Sequence, residues 1–224
     1  MAKQETSKQD ELQQVEAALS KSEAFIEKYQ KQLIAAVAII ILLVLSVLAF
    51  NNFYLEPREN EAENEMAKAE ALFAADAFKD ALEGKADFIG FKNIVSDYSM
   101  TPSGNLAAAY AGICYFKLGQ YDDAIKYLSQ FDGKDNYFST AVVGLIGDAY
   151  IEKGEKEEAV DYFMKAADKE NDVLSAIYLK KAGKTYEALG KADKALEAYT
   201  DIKENYSKSA EASDIEKYIA RVQK

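Results

Sequence analysis

The sequence predicts an all-α chain: an N-terminal amphipathic helix, one transmembrane helix, then an α-solenoid of repeated helix pairs closed by a C-terminal capping helix. Three observations predict it. An uncharged run of eighteen residues, LIAAVAIIILLVLSVLAF from Leu33 to Phe50, interrupts a chain in which 29% of the residues are charged. Downstream, one pattern recurs three times at steps of 35 and 36 residues. Only two prolines and eleven glycines occur in 224 residues, and these are the poorest helix formers, so few positions resist a helix.

Residues 1–32 are read as a cytoplasmic amphipathic helix. Leu12, Val15, Leu19, Ser22, Ile26, Tyr29 and Leu33 alternate steps of three and four, which aligns them on one stripe. Two arrangements satisfy that stripe. One is a short coiled coil or partner-docking helix, which is a route to homo-oligomers. The other is a helix lying in solvent or on a membrane surface, favoured by the three-heptad length and by the polar Ser22.

The segment Leu33 to Leu55 is read as the transmembrane helix. Eighteen helical residues reach roughly 27 Å, close to the hydrocarbon thickness of a bilayer. A cleaved secretory signal is the main competitor, with Val47-Leu48-Ala49 as its small-residue pattern. Signal peptides, however, have short basic leaders and apolar stretches of about 7–15 residues, whereas this run is longer and follows a long polar helix. Lys21, Lys28 and Lys31 precede the run, and Arg58 and Lys68 follow it, a bias that favours a cytoplasmic N-terminus. Phe50, Phe53 and Tyr54 then form an outer aromatic belt, Pro57 ends the helix, and residues 56–60 act as a linker.

Residues 61–224 hold the repeats. GICYFKLGQYDDA from Gly112, GDAYIEKGEKEEA from Gly147 and GKTYEALGKADKA from Gly183 share G-x-x-Y-x-x-x-G-x-x-x-x-A. The first Gly lets the two helices of a hairpin touch, and the Tyr fills the neighbouring contact. The second Gly (119, 154 and 190) suits the left-handed exit from the first helix, helix A. Ala124, Ala159 and Ala195 let the second helix, helix B, approach, and Leu128, Phe163 and Tyr199 follow at helical spacing, with Phe131, Ala166 and Ile202 three residues later.

These copies resemble tetratricopeptide repeats, helix-turn-helix units of about 34 residues that stack into a superhelix. On that resemblance the repeats run over about 105–138, 140–173 and 176–207. The Trp common near the start of a repeat is replaced by Ala108, Val143 and Leu179, and the Pro near its end by Asn136, Asn171 and Ser207. Ala69, Leu72, Asp76 and Ala81 keep the same offsets and are followed by FIGFKNIVSDY from Phe88, so residues 61–99 are read as an atypical first repeat with a longer internal loop. Ile215, Tyr218, Ile219 and Val222 form one apolar face, which makes 208–223 the capping helix a solenoid needs.

The resemblance also implies a concave groove lined by the A helices. Its positions are Leu106, Ala109, Ile113, Phe116 and Lys117 in the first clear repeat. In the second they are Ala141, Gly144, Asp148, Ile151 and Glu152, and in the third Ile177, Lys180, Lys184, Glu187 and Ala188. The groove is thus expected to be apolar in its first part and charged toward the C-terminus, and to dock peptides or partner proteins.

Composition narrows the function further. Lys plus Arg is 27 against 38 Asp plus Glu, a net charge of −11, which argues against nucleic acid as a partner. The chain has no histidine, so it can build neither a Ser-His or Cys-His nucleophile nor the usual His-bearing zinc site. Its one cysteine, Cys114, is read as a packing residue. The pairs Asp122/Asp123 and Glu157/Glu158 sit in the polar turn between the helices of a repeat, where acids favour a helix N-terminus through its dipole rather than serve acid-base catalysis. No strand and no phosphate-binding Gly-rich loop is apparent, and the chain is expected to be a non-enzyme without cofactor or metal.

A polar helical N-terminus, one span and an acidic tetratricopeptide domain together resemble the bacterial single-span family that includes the ancillary subunit of the SecYEG translocon. That resemblance implies an inner-membrane protein with a periplasmic repeat domain. Its partners would be the Sec translocon and periplasmic chaperones, its lipid contact one span, and its role assistance to protein export. A cell-envelope assembly or division coordinator and a peptide-binding receptor are the alternative readings.

Overall fold

The computed structural model describes residues 2–223, with side chains from Ile26 onward. The stripe positions Leu12, Val15, Leu19 and Ser22 lie outside the described side chains. The chain divides into two compact units, residues 1–56 and 57–224.

The first unit is helical throughout. Helix α1 runs Ala2–Phe50 and passes into a π-helical turn, Asn51–Leu55. Every residue from Leu33 to Phe50 is exposed, so among the described residues nothing covers this apolar stretch. By length and composition it can cross a membrane. Phe50 stacks on Tyr54 at 5.0 Å between ring centroids, and Phe53 is almost fully exposed.

The second unit starts at once. Helix α2 (Glu56–Ala74) contains Pro57 and all of residues 56–60, so Pro57 does not end the helix there and those residues are not a linker. The reason is local. The N–H of Glu56 bonds the Asn51 carbonyl five residues back, and Pro57 then stands in the first turn of α2, where a missing N–H is tolerated. Arg58 and Glu59 are already docked. Arg58 donates to the Asp97 carbonyl and lies over the Tyr98 ring, and Glu59 accepts from the Ser103 N–H at 3.0 Å and the Ser103 hydroxyl at 2.8 Å.

Helices α3 (Phe78–Glu83) and α4 (Phe91–Asp97) complete the atypical repeat. Between them lies a feature not apparent in the sequence, the antiparallel strands β1 (Gly84–Lys85) and β2 (Phe88–Ile89), paired Gly84 to Ile89 and Lys85 to Phe88. Two residues per strand are too few to show alternation. Gly84 has φ +85°, and a side chain there would collide with the backbone of Gly90 and Phe88, so the hairpin depends on that glycine.

Three helix pairs follow: α5 (Pro102–Lys117) with α6 (Tyr121–Leu128), α7 (Phe138–Lys153) with α8 (Lys156–Ala167), and α9 (Leu174–Ala188) with α10 (Ala192–Asn205). A short 3-10 turn, Ala210–Asp214, leads into α11 (Ile215–Val222). The glycines act as their positions predict. Gly119, Gly154 and Gly190 have φ of +73°, +82° and +70°, and Asp76, at the same offset in the atypical repeat, has +56°. A Cβ on Gly112 or Gly147 would meet Leu128 at 2.5 Å or Phe163 at 2.6 Å, and one on Gly183 would meet the Tyr199 ring at 2.3 Å. Ala108 and Leu179, in the place of the usual Trp, are buried. So is Cys114, whose thiol burial pushes up to about 12, well above reactive range.

Each A helix needs its first N–H groups satisfied. Thr101 caps α5 by accepting from the Gly104 N–H at 3.0 Å. Asn171 accepts from the N–H groups of Val173 and Leu174 at 3.0 and 2.8 Å. Asp135 caps α7. Hydrogen bonds from the Ser139 hydroxyl, and from the N–H groups of Phe138, Tyr137 and Ser139, hold its carboxyl below the ordinary value. A depressed carboxyl stabilises above its unfolded pKa, and that stabilisation disappears as pH falls through the folded value. Asp135→Ala is therefore expected to cost about 1 kcal/mol at neutral pH. The deficit in urea midpoint should shrink below about pH 4.

Candidate functional site

The A helices place the groove positions in three different situations. The first is an apolar wall. Leu106, Ile113 and Phe116 of α5 are half-buried, with the Phe116 ring edge-on to Tyr121 at 5.6 Å, while Lys117 is exposed and Ala109 is buried. On α7, Ile151 and Glu152 are exposed, and Glu152 accepts from the Tyr121 hydroxyl at 3.4 Å. These residues leave apolar surface beside a few charges, which suits the apolar face of a peptide or helix.

The second situation is contact between successive repeats. Gly144 is buried under the Tyr178 ring, and the Tyr178 hydroxyl lies 3.4 Å from the Ala141 carbonyl. Asp148 receives the Lys181 ammonium on both oxygens at 2.7 Å, and that ammonium also sits over the Phe163 and Tyr178 rings. Residues 33 to 37 apart thus hold one A helix to the next, and Ala141, Gly144 and Asp148 serve the solenoid itself.

The third situation corrects the expected charged end of the groove. Lys180 pairs with Asp214 at 2.5 Å, and Glu187 takes Nε and Nη2 of Arg221 at 2.7 and 2.5 Å and the Tyr199 hydroxyl at 2.5 Å. The Tyr218 ring has the cations of Lys180, Lys184 and Arg221 within 5.5 Å of its centroid. Lys180, Lys184 and Glu187 therefore face the capping segment, and α11 occupies the place of a fourth A helix. Ile215 and Ile219 are buried beside Tyr199 and Ile202 on its other side. Ala188 is exposed, and Ile177 lines a hollow of about 650 Å³ with Val173 and Tyr206.

Burial works against ionising Glu187, but the hydrogen bonds from Arg221 and Tyr199 outweigh it and hold the carboxyl low. Burial and the Glu187 carboxylate push the Tyr199 phenol up. Arg221→Ala is expected to lower the urea midpoint modestly, since the pair is bidentate but its guanidinium half-exposed and screened by solvent. A urea titration of the variant checks it, and the loss should shrink in high salt.

The B-helix acids stand where the sequence places them, in first turns. Asp122 reaches the Lys153 ammonium at 2.7 Å, which Glu155 shares at 2.9 Å. Sequence reasoning missed two sets of residues. One is the latch partners Asp214 and Arg221, which only an i to i+34 comparison would have found. The other is Met100, Tyr137 and Val173, which stand at or just before helix A N-termini and are 63%, 61% and 58% exposed.

Comparison with known proteins fits this geometry. Tetratricopeptide repeat models match residues 110–133, 142–168 and 180–209. A TPR repeat-containing protein of Methanocaldococcus jannaschii is 30% identical over 135 residues, which are 60% of this chain and 22% of the relative. The chain thus spans about a fifth of that protein's length. A crystal structure of MamA superposes with a TM-score of 0.54 at 22% identity, over 72% of this chain and 80% of that one. A structure of nearly identical TPR-like repeats from Podospora anserina gives 0.53 at 16%, over 73% and 85%. The fold is a mostly helical tetratricopeptide-type solenoid, an architecture for holding other proteins.

Proposed function

We propose that this chain is a membrane-tethered protein-interaction scaffold, non-catalytic, whose repeat domain lies in the periplasm and holds translocon or envelope-chaperone partners during protein export. The observation that carries the tether is the uncharged helix from Leu33 to Phe50, exposed at every position and followed by a repeat domain whose docked residues begin at Arg58. No described residue shields that surface from water, and a bilayer would. The lysines before the run put the N-terminus in the cytoplasm and the repeats outside.

Partner docking falls to the apolar wall of Leu106, Ile113, Phe116 and Ile151 rather than to the lysines of the last repeat, which the capping segment engages. Crosslinking in intact inner membranes, followed by copurification, tests the export role. Translocon subunits or envelope chaperones should be recovered, and Phe116→Asp together with Ile151→Asp should deplete them. Recovery of division or wall-synthesis proteins instead would replace export with an envelope-assembly role. A C-terminal reporter active only in the cytoplasm should stay silent, and its activity would reverse the orientation.

A further inference from the structure

The junctions that precede the A helices lie along one edge of the repeat domain. Glu59 holds Ser103, Asn105 exchanges hydrogen bonds with the backbone of Asp132 at 2.8 and 3.0 Å, and the Asn171 amide donates to the Asn136 carbonyl at 2.7 Å. These contacts tie the start of α2 to that of α5, α5 to the junction before α7, and that junction to the one before α9. Each of the three inter-repeat junctions exposes one large apolar side chain: Met100, Tyr137 and Val173 in turn. A single exposed apolar residue is ordinary, but one per repeat on the same edge makes a row.

The edge has a second property. Arg58, the first docked side chain of the domain, contacts Asp97 and Tyr98, two residues from Met100. Only Glu56 and Pro57 separate it from Leu55, the last of the proposed span, and that stretch reaches at most about 10 Å. The row therefore belongs to the edge at which the chain enters the domain.

We propose that this edge docks on the lipid headgroup region of the bilayer, with Met100, Tyr137 and Val173 inserted at the interface. The proposal rests on the tethering reading above. The residue types suit it: a Tyr ring places an apolar body in the acyl boundary and its hydroxyl among headgroups, and Met and Val add apolar area. Lys134 and Lys169 stand exposed in these junctions among six exposed acids, Asp97, Asp132, Asp135, Asp168, Glu170 and Asp172, so the edge is acidic. Docking is thus apolar in origin and weakened by anionic lipid. Weak insertion is enough, because a short tether keeps the local lipid concentration high.

The chain has no tryptophan, so single substitutions make clean reporters. Full-length chain is reconstituted in phosphatidylcholine vesicles brominated near the headgroup, or near the acyl-chain ends for the mid-span control, with Trp placed by Tyr137→Trp, Met100→Trp, Leu118→Trp or, as that control, Leu45→Trp. Leu118 is exposed at the far end of α5, roughly 24 Å along that helix from its N-terminus. Emission from Tyr137→Trp and Met100→Trp is expected to fall about twofold against unbrominated lipid, with Leu118→Trp little changed. A quarter of phosphatidylglycerol in the vesicles should weaken the quenching of both edge reporters, because carboxylates outnumber lysines on that edge, and leave Leu45→Trp unchanged. If Leu45→Trp is quenched while both edge reporters match Leu118→Trp, the edge does not dock and is left for a protein partner. If Leu45→Trp is itself unquenched, the tethering reading has failed instead.

Discussion

Gly183→Leu is expected to destabilise the repeat domain by about 3 kcal/mol, the upper part of the range for overpacking a filled core. Gly183 sits on α9 where α10 crosses it, and its Cβ would lie 2.3 Å from the edge of the Tyr199 ring. That ring is fully buried, and its hydroxyl is held by Glu187, which also holds Arg221. The ring cannot turn aside without breaking the bonds that seat α11, so the cost spreads from one helix pair to the cap. Gly154→Ala provides the contrast. Its Cβ would meet nothing within 4 Å, and only the left-handed φ of +82° opposes it, so a loss of about 1 kcal/mol is expected. Chemical denaturation of the full chain in detergent measures both. A Gly183→Leu loss no larger than that of Gly154→Ala would mean that α9 and α10 do not pack through this glycine. Adding Tyr199→Ala to Gly183→Leu should give a non-additive total, since the two side chains would compete for one space.

Leu42→Arg with Leu45→Arg is expected to release the chain from membranes. Thirteen of the eighteen residues from Leu33 to Phe50 are Leu, Ile, Val or Phe, which at the bilayer centre contribute roughly −4 to −8 kcal/mol. Two arginines cost about 5–7 kcal/mol and remove two of those leucines, which brings insertion close to zero or above it. Leu42→Ala with Leu45→Ala keeps most of the apolar content and should remain inserted. Alkaline extraction of membranes separates the outcomes. If the double-arginine chain stays in the extracted pellet, this segment is not the anchor.

What could be read from the sequence was periodic or local. The left-handed turns at Gly119, Gly154 and Gly190, and the equivalent Asp76, were legible because a helix exit at fixed spacing demands that backbone conformation wherever it occurs. The close approach of the two helices at Gly112, Gly147 and Gly183 was legible because both helices belong to one hairpin, but only the structure shows Leu128, Phe163 and Tyr199 as what each glycine admits. The hairpin of β1 and β2 was not, since two residues per strand carry no period. Nor was helical continuity through Pro57, which depends on the π-turn before it.

The groove divides the two kinds of knowledge most clearly. The sequence by itself determined where the A helices lie, which of their positions share a face, and that an uncharged helix precedes them, because helical geometry converts spacing into placement. Tertiary structure alone decided which of those positions stay open. Equivalent positions meet whatever the next element carries some 34 residues on: Ala109 and Gly144 are buried, whereas Lys180 meets Asp214. A side chain's freedom is set by its neighbour across a stacking interface. That neighbour has no fixed identity in the repeat pattern, so the capping segment could consume the last charges of the groove without any sign of it in the motif.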